Sequence, residues 1–95
     1  MSANITVEVS SFLQHLTSPD RAIAMEASTP DEAMVRLAAR FPQLHGILLN
    51  EAGRVRGGSV VLFVNSIQSE MIPGGMQAKL QDGDELTVVT PISGG

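Results

Sequence analysis

The 95-residue chain is 43% hydrophobic and 17% charged, with a formal net charge of −4, a composition that folds around one core and excludes a disordered segment. Its six Lys and Arg residues are scattered, Trp and Tyr are absent and there is no cysteine, which argues against a nucleic-acid groove, a disulfide framework and a thiolate metal centre. No signal-peptide pattern and no apolar run of membrane-spanning length is visible, so a cytoplasmic location is expected.

Ile5, Val7 and Val9 alternate with polar residues, as in a half-buried strand that Phe12 and Leu13 would extend. Thr17-Ser18-Pro19-Asp20 signals a turn, after which Ile23 and Met25 resume the alternation and complete a hairpin. Thr29-Pro30-Asp31-Glu32 starts a helix, with Thr29 at the N-cap, Pro30 in the first helical position and Glu32 closing a capping box. Met34, Leu37, Ala38 and Phe41 then fall on one apolar face, and Pro42 ends the helix at Phe41. Residues 43–49 form a short apolar segment of about one turn, Asn50-Glu51-Ala52-Gly53 a turn and Gly57-Gly58 a loose loop. Val60-Val61-Leu62-Phe63-Val64 is continuously apolar and reads as a buried central strand. Asn65-Ser66 turns into a short segment around Ile67, and Pro73-Gly74-Gly75 is another break. Gln81-Asp82-Gly83-Asp84 feeds a final strand, Glu85–Thr90, and Pro91, which lacks an N–H, cannot continue its ladder.

The order β-β-α-β-(short β)-β predicts an α+β, β-grasp arrangement: a mixed sheet of four to five strands covered by one main helix, with the first and last strands parallel neighbours. Residues 1–91 would form the domain and residues 92–95 a flexible tail ending in Gly94-Gly95. Neither glycine carries a Cβ, so such an end can thread a narrow tunnel and leaves its α-carboxylate unhindered for activation and acyl transfer. The competing reading is a frayed terminus with no role.

Three segments together carry a family resemblance: Val64-Asn65, then Leu80-Gln81-Asp82-Gly83-Asp84-Glu85-Leu86, then Thr90-Pro91-Ile92-Ser93-Gly94-Gly95. This pattern resembles the ubiquitin-like sulfur carriers of the MoaD/ThiS family, closer in length to the longer MoaD-like and CysO-like members than to the short ThiS type. The helix from Thr29 and the Glu51-Ala52-Gly53-Arg54 loop also sit where that family has them. Gln68-Ser69-Glu70-Met71-Ile72 departs from it in being less charged. The resemblance implies that the Gly95 carboxylate is adenylated by an E1-like enzyme of MoeB/ThiF type, becomes a thiocarboxylate and delivers sulfur to an acceptor synthase. Gly94, Ser93, Ile92 and Pro91 would be the partner-binding tail. It further implies no bound cofactor, with ATP and the sulfur donor used by the partner, and a carrier rather than an enzyme.

Two other readings keep the same terminus. One is the small subunit of molybdopterin synthase; the other is a protein modifier conjugated through Gly95, for which Lys79 is the one lysine able to extend a chain. A β-grasp interaction module with an incidental diglycine is the fourth. His15 and His45 read as surface residues, not metal ligands or bases. Gly57-Gly58 and Gly74-Gly75 lack phosphate-loop spacing. Asp82, Asp84 and Glu85 could attract a hard cation but read as a solvated turn that could also meet a basic partner. Alternation of Thr87 and Val89 with Leu86 and Val88 leaves a second sheet face partly apolar, either covered by a partner or ordinary surface.

Overall fold

Alternation along the first strand segment places Ala3, Ile5, Val7 and Val9 on one buried face of β1, Ala3–Val9. The computed structural model describes residues 2–10, 22–56 and 60–90. In it β1 pairs antiparallel with β2, Ala22–Ala27, and parallel with β5, Glu85–Val89. β5 pairs antiparallel with β3, Val61–Val64, which carries the two-residue strand β4, Ile67–Gln68, on its far side. The strand order is β2-β1-β5-β3-β4, the mixed β-grasp sheet expected, with the C-terminal strand in its middle. The extension through Phe12 and Leu13, the Thr17–Asp20 turn, His15, Gly57-Gly58 and everything from Pro91 onward lie outside the described residues.

One expectation is corrected. The apolar run Val60–Val64 is not a central strand buried on both faces: β3 lies second from the edge, with Leu62 and Val64 buried and Val61 and Phe63 half-exposed. The run is apolar at every position because both its faces are apolar, yet the helix covers only one of them.

That helix, α1, spans Pro30–Arg40. Thr29 is extended at the N-cap and its Oγ1 accepts from the Glu32 N–H at 3.1 Å. The reciprocal half of the box reaches one residue further than expected. Glu32 Oε1 accepts from the Ser28 N–H at 2.8 Å and from Ser28 Oγ at 3.1 Å. The Ser28 carbonyl in turn accepts from the Leu80 N–H at 2.9 Å, tying the helix start to the segment that leads into β5. Met34, Leu37 and Ala38 are buried under the sheet in one cluster with Ile5, Val7, Leu62, Val64, Leu86 and Val88, while Phe41, the C-cap, packs at its margin. Pro42–Leu44 forms a 3-10 turn that runs into the short helix α2, His45–Leu48, whose Leu48 joins the core along with Leu44. Among the described residues, no helix is long and apolar enough to cross a membrane.

A polar knot at one end of the sheet fixes the register of β5. Asn65 and Ser66, at φ +50° and +72°, make a two-residue turn between the paired Val64 and Ile67, with both central residues in the left-handed region as that hairpin requires. The Asn65 side chain spans to the neighbouring turn. Its Nδ2 donates to Asp84 Oδ1 at 3.0 Å and its Oδ1 accepts from the Glu85 N–H at 2.9 Å. Asp84 Oδ2 accepts from the Gln81 N–H at 2.8 Å, and Asp82 Oδ1 from the Asn4 N–H at 2.8 Å. Gly83, at φ +91°, donates its N–H to the Asn4 carbonyl at 2.8 Å. The acidic turn is therefore occupied internally: two of its carboxylates close backbone donors of β1 and of the turn itself.

Two outcomes follow for stability. Asn65→Ala and Asp84→Ala should each cost about 1 kcal/mol, and the double variant should cost less than their sum by about 0.5–1 kcal/mol, because one hydrogen bond joins the two side chains; chemical denaturation of the four proteins measures this. The Glu32 carboxyl is held below its ordinary value of 4.5, first by the Ser28 backbone N–H, then by the Ser28 hydroxyl and the Arg36 guanidinium. A depressed carboxyl stabilises the fold above its unfolded value and loses that effect as pH falls through its folded value. The stability gap between wild type and Glu32→Gln should thus be widest near neutrality and close as pH falls below 4.5, read from denaturation midpoints across pH.

Candidate functional site

β5 carries the candidate site because it is both central and last. Leu86 and Val88 are fully buried against the helix side, and the strand is held by β1 on one flank and β3 on the other. The Ser10 N–H donates to the Val88 carbonyl at 2.9 Å, extending the parallel ladder to the strand's end. Thr90 is the last residue described, and from it the sequence continues into Pro91, Ile92, Ser93, Gly94 and Gly95. Those five positions, named from sequence as the reactive end and its stalk, lie outside the described residues. Thr90 is the root from which they continue in sequence. Beside it, Ser10 Oγ and Thr90 Oγ1 are buried hydroxyls with no hydrogen-bond partner among the described residues.

The face of β5 opposite the helix bears Thr87 and Val89, paired across the sheet with Phe63 and Val61. Paired residues share a face, so these four side chains make a contiguous, half-exposed, largely apolar strip ending at the root of the tail. Sequence reading found the Thr87 and Val89 half of it and missed Val61 and Phe63. The signal was present: a run apolar at both parities of a strand implies two apolar faces, and the one long helix that the sequence predicts can cover only one of them.

Elsewhere, His45 is exposed at the start of α2. Asp82 and Asp84 close the turn, and the Glu85 side chain is exposed. None of these groups is brought into a cleft with another in a way that would support acid–base or nucleophilic chemistry. What the arrangement offers is a central strand bonded on both sides and an apolar strip along it.

Comparison with known proteins agrees with this geometry. The model of the ThiS family matches residues 7–95. Small archaeal modifier protein 1 of Methanosarcina acetivorans superposes with a TM-score of 0.87 at 18% identity, covering 100% of this chain and 99% of that one. The Amycolatopsis orientalis BexX/CysO complex gives a TM-score of 0.76 at 24% identity over 96% of this chain and 99% of its match. CysO of Mycobacterium tuberculosis gives 0.75 at 21% identity over 94% and 100%. No curated protein matches by sequence. At these identities the solved structures establish the β-grasp fold, and the family match, which runs through Gly95, establishes kinship: the chain belongs to the ThiS family of ubiquitin-like MoaD/ThiS-type carriers and modifiers.

Proposed function

We propose that this protein is a sulfur carrier whose Gly95 carboxylate is adenylated by an E1-like, ATP-using enzyme of MoeB/ThiF type and converted to a thiocarboxylate. The observation that supports the reading is the placement of β5: this register-locked central strand, Glu85–Val89, is the last of the sheet, and the family-matched sequence continues from it through Thr90 and Pro91 to Gly95. A carboxylate is a poor electrophile because oxide is a poor leaving group. Transfer of AMP from ATP onto its oxygen, with loss of pyrophosphate, supplies a good one. A hydrosulfide equivalent then displaces AMP at the carbonyl carbon, so that a C–S bond replaces a C–O bond. In the acceptor synthase the thiocarboxylate sulfur bonds to the acceptor, and water then cleaves the acyl C–S bond, leaving the sulfur on the acceptor and restoring the carboxylate. Nucleotide, sulfur donor and catalytic groups belong to the partners; the carrier contributes the slim end and the docking strip of Val61, Phe63, Thr87 and Val89.

A second reading, conjugation of Gly95 to an amine of another protein, is favoured by one observation, the likeness to a protein named a small archaeal modifier. Both readings share the adenylation step and part afterwards, at sulfur or at nitrogen.

Deleting Gly95 moves the carboxylate back by about 3.5 Å, while a misplacement of about 1 Å can cost 100-fold in rate. The folded deletion variant should therefore lose ATP–pyrophosphate exchange with the cognate activating enzyme while keeping the wild-type circular dichroism spectrum. Exchange at the wild-type rate would contradict the proposal. Phe63→Asp puts an unpaired charge in the apolar strip and should act differently, raising KM for the carrier about tenfold or more with little change in kcat, since docking and not the reacting carbon is disturbed. A fall in kcat at unchanged KM would remove the strip from the docking surface.

A further inference from the structure

The two edges of the sheet are built differently. β4 is only two residues long, whereas β2 runs for six, Ala22–Ala27, without proline or lysine. Short edges and edge lysines or prolines discourage strand addition, and β2 has neither device. The direction of its backbone groups follows from β1. The Thr6 N–H donates to Asp84 on the β5 side, so Ile5 and Val7 turn their groups toward β2. Their partners Met25 and Ile23 are therefore the residues bonded to β1, and Ala22, Ala24 and Glu26 present their N–H and C=O to the outer side, where no strand pairs among the described residues. A direct contact agrees with this: the Ala24 carbonyl accepts from Arg40 Nη1 at 2.9 Å.

Beside this edge, between β2 and α1, lies a groove of about 420 Å³ lined by Met25, Glu26, Arg36, Ala39 and Arg40. Met25 and Ala39 give it an apolar floor. Arg36 and Arg40, one helical turn apart, line its helix side. The Arg40 guanidinium is already poised there, 5.8 Å from the centroid of the Phe41 ring and bonded to a neutral carbonyl. A carboxylate is a stronger partner for a guanidinium than a carbonyl is.

We propose that the β2–α1 groove docks an extended, acidic and aliphatic segment of a partner protein, added to β2 as a sixth strand. Its carboxylate takes Arg40 from the Ala24 carbonyl, and a backbone N–H of the incoming strand takes the place that Arg40 leaves, so each displaced group gains a partner. Aliphatic side chains of the segment lie over Met25 and Ala39. Glu26, also in the groove, sets the register by repelling an acidic residue at its own end of the strand. The groove is two strands from β5, so occupation leaves the strip of Val61, Phe63, Thr87 and Val89 open. A partner can thus hold the body of the protein while its tail is engaged elsewhere.

The test is titration of the isotopically labelled full chain with a capped heptapeptide of alternating valine and aspartate, and with its valine–lysine counterpart, followed by amide NMR. The aspartate peptide should shift and slow hydrogen exchange at the amides of Ala22, Ala24 and Glu26. The lysine peptide, and the aspartate peptide against Arg40→Glu, should bind about tenfold or more weakly. A dispersed spectrum of Arg40→Glu establishes that it is folded. The proposal is overturned by shifts confined to Val61, Phe63 and Val89, by equal binding of the two peptides, by undiminished binding to folded Arg40→Glu, by no binding of the aspartate peptide at millimolar concentration, or by self-association through β2 in place of peptide binding.

Discussion

The contact between Asn65 and Asp84 is the constraint on which the placement of everything else depends. Asn65 sits in a strained two-residue turn and uses both ends of its amide to hold the start of β5. In a sheet, a slip of one residue would turn Leu86 and Val88 out of the core and Thr87 and Val89 into it. The knot prevents that slip at the middle strand of the five, and so decides where β5 ends. Hydrophobic burial supplies most of the stability, yet burial alone is indifferent to a two-residue shift of an apolar strand. Hydrogen bonds to specific backbone donors are not, and this gives a short polar motif authority over a tail at the far end of the strand.

In the proposed carrier role, the same logic connects the sheet's geometry to chemistry that a partner would perform. Activation of a chain end requires that end to reach a fixed point in a partner, within about an ångström. A rigid root bounds where a five-residue segment can reach, and on that proposal the apolar strip across β3 and β5 is the surface by which a partner would take hold of the root. The hydroxyls of Ser10 and Thr90, buried and without partners among the described residues, fall at this junction.

What could be read from the residues alone follows the range of the interactions. The capping box at Thr29 and Glu32 was legible because its parts lie within one turn, and only its last contact, shifted to Ser28, needed coordinates. Parallel pairing of β1 and β5 was legible from element order, since one main helix and five short strands leave few ways to bury one face. The burial of Val60–Val64 was overestimated because apolar content reports how many faces are apolar, not how many are covered, whereas the mid-sheet place of the last strand followed from element order. The motif residues Asn65 and Asp84 stood out as a resemblance, but their direct bond spans 19 positions, a separation at which no local pattern shows who meets whom. The open edge of β2 was equally hidden, because Ala24 and Arg40 are 16 positions apart.

The central claim concerns the atom at the chain end, and the most direct measurement is the intact mass of the protein isolated from its native cells, with fragmentation to localise any change. Exchange of one terminal oxygen for sulfur, confined to Gly95 and lost when the activating enzyme is removed, is the result a carrier requires. A terminus that is never altered, or one found only in amide linkage to other proteins, would contradict it.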